Sequence, residues 1–141
     1  MNSEDGGPER GIAVDLPSVV GAVDKEIVVP VRVDGIADQG VISYEFDLRY
    51  DPSVIQPLVE VVDVKRTVSR GLSVVTNTAE PGLLKVVVYG AMPIAENGVL
   101  LNLRFTAVGS SGSGSPVTFE RLIFNEGDPK MITTDGRIEL F

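Results

Sequence analysis

Carboxylates are the one class of reactive side chain this sequence holds in number: 20 Asp and Glu stand against 12 Lys and Arg, with no histidine and no cysteine. Thiol and imidazole nucleophiles, histidine general bases, the usual zinc and haem ligands and disulfides are therefore all excluded. Two carboxylate pairs fall in turn-rich segments, Asp34 with Asp38 and Glu126 with Asp128. Neither shows the dense alternate-position oxygen set of an EF-hand loop. Asp is common in turns because its carboxylate bonds the nearby backbone, so no metal site is expected. Glu45 and Asp47 sit two apart. Glycoside hydrolysis needs two carboxylates converging across a cleft with one pKa raised, and neighbours on one open strand face do not converge. Tyr44, Tyr50 and Tyr89 could form a sugar-stacking platform. Tyr44 and Tyr50, however, share strand parity with Phe46 and Leu48, which places them in the core. No catalytic residue and no cofactor is expected, and the chain reads as a non-enzyme.

The formal net charge is −8, and no segment concentrates Lys and Arg into a phosphate-binding stripe, so nucleic acid is not an expected partner. The longest apolar runs, such as Val86-Val87-Val88, fall far short of the ~20 residues of a bilayer span. Residues 1–11 are polar and acidic, without the basic-then-apolar order of a signal peptide. Composition leaves the compartment open.

The elements that must position these side chains are strands. Valine occurs 23 times, isoleucine 9 and threonine 7, while 15 glycines and 9 prolines punctuate the chain. No window carries a helical apolar stripe free of Gly or Pro. Strands are expected at 11–16, 26–34, 41–50, 58–68, 72–78, 83–90, 99–108, 117–124 and 136–141, with a shorter one at 131–134. Pro30 cannot donate to a ladder, which puts it at an edge or a bulge. In 41–50 alternation sends Ile42, Tyr44, Phe46, Leu48 and Tyr50 to one face and Ser43, Glu45, Asp47 and Arg49 to the other. The architecture is all-β, a two-sheet β-sandwich with jelly-roll topology and about nine strands. Its core includes Val31, Val33, Tyr44, Phe46, Leu48, Leu101, Leu103 and Phe105. Residues 1–10 read as a disordered or vector-derived tail, and 11–141 as one domain of a size to bury a full core. The Gly-Ser stretch 109–115 has linker composition, but the 26 residues after it are too few for a second core, so it reads as a mobile hairpin loop.

The order of motifs resembles the cohesin family. Ile27-Val28-Val29-Pro30-Val31-Arg32-Val33, then Gly35-Ile36, then the run Gly40 to Pro52, with its alternating aromatics ending in Tyr50-Asp51-Pro52, is similar to the opening half of a cohesin domain. Gly98 to Phe105 and Asp135-Gly136-Arg137-Ile138 are similar to later cohesin strands. The resemblance spans residues 12–141, and is closest up to about residue 58.

Cohesins are nine-stranded jelly rolls that bind dockerins, small calcium-loaded helical domains. The resemblance thus implies a non-catalytic interaction module whose partner, not itself, carries calcium. It further implies an extracellular or cell-surface setting within a larger protein, a domain that is monomeric when unbound or self-associates weakly, and no membrane insertion. In the family the dockerin docks on one flat sheet face, and the strand matching 41–50 lies within it. The implied contact set is Ser43, Glu45, Asp47 and Arg49, with Val86, Val88 and Gly90 from one neighbouring strand and Lys130 and Ile132 from the short strand near 131–134. Two other readings stand beside it: a carbohydrate-binding module, and a passive adhesion or spacer module of the same architecture.

Overall fold

A computed structural model describes residues 11–125, 127 and 129–141. The expected tail 1–10 and the carboxylate pair Glu126 and Asp128 lie outside the described residues. The strands are β1 (Ile12–Asp15), β2 (Ser18–Gly21), β3 (Glu26–Asp34), β4 (Ser43–Arg49), β5 (Ile55–Asp63), β6 (Ser73–Asn77), β7 (Leu83–Tyr89), β8 (Gly98–Ala107), β9 (Gly114–Phe124), β10 (Met131–Thr134) and β11 (Gly136–Leu140). They form a five-stranded sheet, β10-β1-β3-β8-β5, facing a six-stranded sheet, β2-β11-β9-β4-β7-β6. This is the expected β-sandwich, and no helix occurs among the described residues.

Period-2 alternation explains which side of each strand is dry. In β4, Tyr44, Phe46 and Leu48 are buried while Ser43, Glu45, Asp47 and Arg49 are half-exposed. In β3, Ile27, Val29, Val31 and Val33 face the core. All eight residues expected in the core are buried. Between the neighbouring strands β4 and β9 of the six-stranded sheet, the Phe46 ring meets Phe119 edge-on at 5.5 Å between centroids, and Tyr44 meets Phe124 at 5.9 Å. Aromatic pairs favour such geometry because a positive ring edge faces a negative ring face.

The described residues form eleven strands, the nine expected, the shorter one at 131–134 and β2, because the first strand turns a corner between sheets as the pair β10 and β11 does. β1 runs parallel to β10 in one sheet, and β2 runs parallel to β11 in the other. Backbone bonds from Leu16 N to Thr134 O (2.9 Å) and from Arg137 N to Pro17 O (3.2 Å) carry the pairing around the bend. Gly136 is required there, since a Cβ would stand 2.2 Å from the Pro17 carbonyl oxygen. The sequence reading ended the first strand at Pro17 and so missed β2. Pro30 lies in an interior strand, but β1 pairs with β3 only from Arg32 onward, and a bulge follows directly at Val31/Arg32.

Two further boundaries differ. Asp51-Pro52 opens a tight turn, with Val54 N and Ile55 N both donating to Asp51 O, so β5 starts at Ile55 rather than 58. It ends at Asp63, whose carboxylate accepts from Lys65 N at 2.9 Å. Residues 64–72, expected to be partly strand, instead form consecutive turns closed by Thr67 N to Val64 O, Arg70 N to Thr67 O and Leu72 N to Ser69 O. The Gly-Ser stretch is not a hairpin, because β8 and β9 belong to different sheets. Gly112 N donates to Leu140 O, and Leu140 N donates to Ser113 O, which binds this crossover to the end of β11.

Candidate functional site

The outer face of the six-stranded sheet brings together four of the nine expected contact residues, Ser43, Glu45, Asp47 and Arg49. β4 lies at its centre between β9 and β7, and β6 closes the edge. Cross-strand partners share a face, so the registers define rungs. The first is Ser73, Tyr89, Ser43; the second is Val75, Val87, Glu45, Ile123; the third is Asn77, Lys85, Asp47, Arg121. Arg49 follows, opposite Thr118.

The face has a charged end and an apolar end. At the charged end every ionised β4 side chain already has an intramolecular partner: Glu45 pairs with Arg121, Asp47 accepts from Lys85 Nζ at 3.4 Å, and Arg49 bridges Glu120 and Glu80 at 3.0 Å each. Those contacts to Glu120, then Glu80, hold the Arg49 guanidinium still more firmly protonated. Four carboxylates against three cations leave this cluster nearly neutral on a chain of net charge −8. At the apolar end Val75 (55% exposed), Val87 (37%) and Tyr89 (47%) form a contiguous outward patch. Ile123 borders it beyond Glu45, and Ile42, exposed just before β4, accepts a backbone bond from Gly90 N at 2.9 Å.

Ser43, Glu45, Asp47 and Arg49 therefore stand where the sequence places them, while other expected residues do not. Val86 and Val88 are buried in the core, 1% and 0% exposed. They pair with Phe46 and Tyr44, whose side chains point inward, and so must point inward too. The outward residues of β7 are Lys85, Val87 and Tyr89. Lys130 and Ile132 leave the face altogether, because β10 pairs with β1 in the other sheet and the chain returns to the six-stranded sheet only at Gly136. Ile132, 70% exposed and aligned with Ala13, lies on the opposite side of the sandwich. Gly90 sits one residue beyond β7, half-buried, and Leu72 fills the space a side chain would need: a Cβ there would be 2.3 Å from Leu72 Cδ2.

Sequence reasoning missed Val75, Val87, Tyr89 and Ile123. The available signal was Lys85, which must face water and so sends Val87 and Tyr89 out with it. Of the tyrosines, Tyr44 and Tyr50 are buried as expected, and Tyr89 is exposed. Asp34 behaves as a turn carboxylate, accepting from Gly35 N at 3.0 Å. Among the described residues no group of three or more Asp or Glu is placed to hold a metal ion.

Known proteins share this fold and pattern. The sequence model of the Cohesin domain family matches residues 12–140. Cellulosomal-scaffolding protein A of Acetivibrio thermocellus is 28% identical over 128 residues, a stretch covering 82% of this chain and 6% of that protein. Cellulosomal-scaffolding protein B of Acetivibrio thermocellus is 24% identical over 128 residues, covering 82% of this chain and 16% of the relative. The chain thus spans a small part of either relative. Among solved structures, the fold matches a type I cohesin-dockerin complex from Clostridium thermocellum with a TM-score of 0.76 at 20% identity, covering 94% of this chain and 100% of that one. It also matches a non-cellulosomal cohesin from the archaeon Archaeoglobus fulgidus, with a TM-score of 0.74 at 18% identity over 94% and 92% of the two chains.

Proposed function

The chain belongs to the cohesin family, and from that premise we propose that it is a non-catalytic interaction module that binds a calcium-loaded dockerin through the outer face of β9, β4, β7 and β6. The observation that carries this reading is the outward patch Val75, Val87 and Tyr89, apolar side chains contiguous on a solvent-facing sheet, with Ile123 further along the same rung beyond Glu45. A sheet face that merely met water would be polar there, and exposed apolar area of this kind is what an interface core desolvates. The paired charges further along, Asp47 with Lys85 and Arg49 with Glu80 and Glu120, form a polar rim that orients a partner more than it attracts one, while Glu45 with Arg121 lies within the covered area.

The contact set is Ser43, Glu45, Asp47, Arg49, Val75, Val87, Tyr89 and Ile123, and residues 11–141 act as one domain. It needs no cofactor, since calcium enters with the partner. Its setting is extracellular or at the cell surface, as one module of a longer scaffold-like protein. A single aromatic, Tyr89, on this face gives a sugar ring too little to stack upon.

The test is calorimetric titration with a panel of dockerins in calcium, alongside Val87→Glu. We expect one or more dockerins to bind the unaltered domain, and Val87→Glu to abolish binding while melting as the parent does. Binding that survives Val87→Glu would move the site off this face, and a domain that binds no dockerin but does bind glycans would replace the reading altogether.

A further inference from the structure

The apolar end of the face does not stop at Tyr89. One residue further along each strand, Leu72 packs against Gly90. From there the turns of residues 64–72 and the segment 91–94 enclose a groove of about 360 Å³ lined by Val68, Arg70, Leu72, Met92, Pro93 and Ile94. Both walls are fixed to the core. Val68 N donates to Val99 O at 2.9 Å, Ile94 N donates to Val41 O at 2.8 Å, and the fully buried Ser69 hydroxyl shares a 2.7 Å hydrogen bond with the buried Tyr44 hydroxyl. The groove is thus pre-formed, and Met92, 74% exposed, offers it a flexible apolar lip. Among the residues that line it one is charged, Arg70, a cation on a chain of net charge −8. Arg70 reaches one carboxylate, Glu96, at 3.3 Å, and both side chains stay more than half exposed.

The geometry points to this groove as a second anchoring site, beyond the sheet, for the same dockerin that the face binds; the inference rests on that reading. Its occupant is a large apolar side chain near the end of the dockerin helix lying over Val87 and Tyr89, with a carboxylate within one helical turn. The apolar group fills the space between Leu72 and Met92. The carboxylate meets the exposed Arg70 guanidinium, which can hold it beside Glu96 through its remaining N–H groups. A site at one end of the face also distinguishes the two ends of a bound helix, so it fixes orientation and selects among dockerins by that apolar-acidic pair.

The experiment uses a calcium-loaded dockerin that the unaltered domain binds, with Met92→Asp and Arg70→Glu as groove variants and Val87→Glu as the face variant. Each groove variant is expected to weaken binding tenfold or more at an unchanged melting temperature. If either variant melts low, amide shifts of the labelled unaltered domain replace it: adding the dockerin must move Val68, Gly71, Leu72, Met92 and Ile94 as well as the strand residues. Groove variants that bind within twofold of the parent while Val87→Glu does not bind, or shifts confined to the strands, overturn the groove and leave the face intact. A domain that binds no dockerin overturns both.

Discussion

Replacing Tyr89 by alanine gives the most direct reading of where a partner sits. Tyr89 ends β7 opposite Ser43 on one side and Ser73 on the other, with 47% of its surface in water. An aromatic side chain buries about 150–250 Å² when fully covered. Covering the exposed half on binding therefore removes about 70–120 Å² from water, or about 1.8–3 kcal/mol at ~25 cal/mol per Å². Since each 1.4 kcal/mol is a factor of ten, Kd should rise roughly 20- to 150-fold. Folding should change little, because no core residue loses its packing and exposed positions usually tolerate exchange within about 0.5 kcal/mol. Calorimetric titration at fixed calcium measures the first quantity and urea unfolding the second. A Kd within threefold of the parent, against a dockerin that the parent binds tightly, would show that the apolar end of the face stays in water in the complex and refute the argument from the rungs.

Glu45→Lys removes the partner of Arg121 in mid-face and puts two cations side by side. It should weaken binding by about 2–5 kcal/mol, the range for disrupting a covered charge pair, while folding stability falls by about 1 kcal/mol or less, as for other exposed pairs; unchanged calorimetric affinity would exclude Glu45 from the interface. Tyr44→Phe strands the buried Ser69 hydroxyl and should cost about 1–3 kcal/mol in urea unfolding, and adding Ser69→Ala should recover part of that loss. Burial pushes the Tyr44 phenol up, and Tyr50 likewise. Both stay protonated in the folded state where an unfolded tyrosine ionises, so stability should be full below about pH 10 and fall as pH rises beyond it; urea midpoints at pH 9 and 11 that coincide would contradict this. On the dockerin-binding reading, in which calcium enters with the partner, a chelator should leave the melting curve of the isolated domain in place and abolish complex formation; a lowered melting temperature for the domain alone would reveal a metal site in this chain.

Much of the fold was legible because most strands carry a polar marker. Glu26, Arg32 and Asp34 in β3, and Glu45, Asp47 and Arg49 in β4, fix which parity faces water, and the core follows residue by residue. What escaped was decided by contacts distant in sequence. Pro17 reads as a terminator, and nothing local reveals that the strand resumes one residue later in the other sheet, because the partners that hold the corner are Thr134 and Arg137. The turns of 64–72 follow a β5 that ends with its carboxylate bonded to Lys65 N, and their anchor, Ser69 on Tyr44, joins residues 25 apart.

The site was harder to read than the fold for a physical reason. A strand that offers apolar area on its outer side as well as its inner one, as β7 does with Val87 and Tyr89, loses the alternation by which register is recognised. β7 is the case in point: Val86, Val87 and Val88 carry no difference of their own, and the placement of the wrong pair on the surface is a slip of one residue. Only Lys85 breaks the degeneracy, and it does so at the end of the strand next to the charged rim. The ambiguity is therefore information in itself. Where β3 and β4 alternate cleanly, β7 is apolar on both sides, and on the proposed reading its outer side is what the partner covers: Val87 and Tyr89, with Val75 beside them and the groove of Leu72 and Met92 at its end.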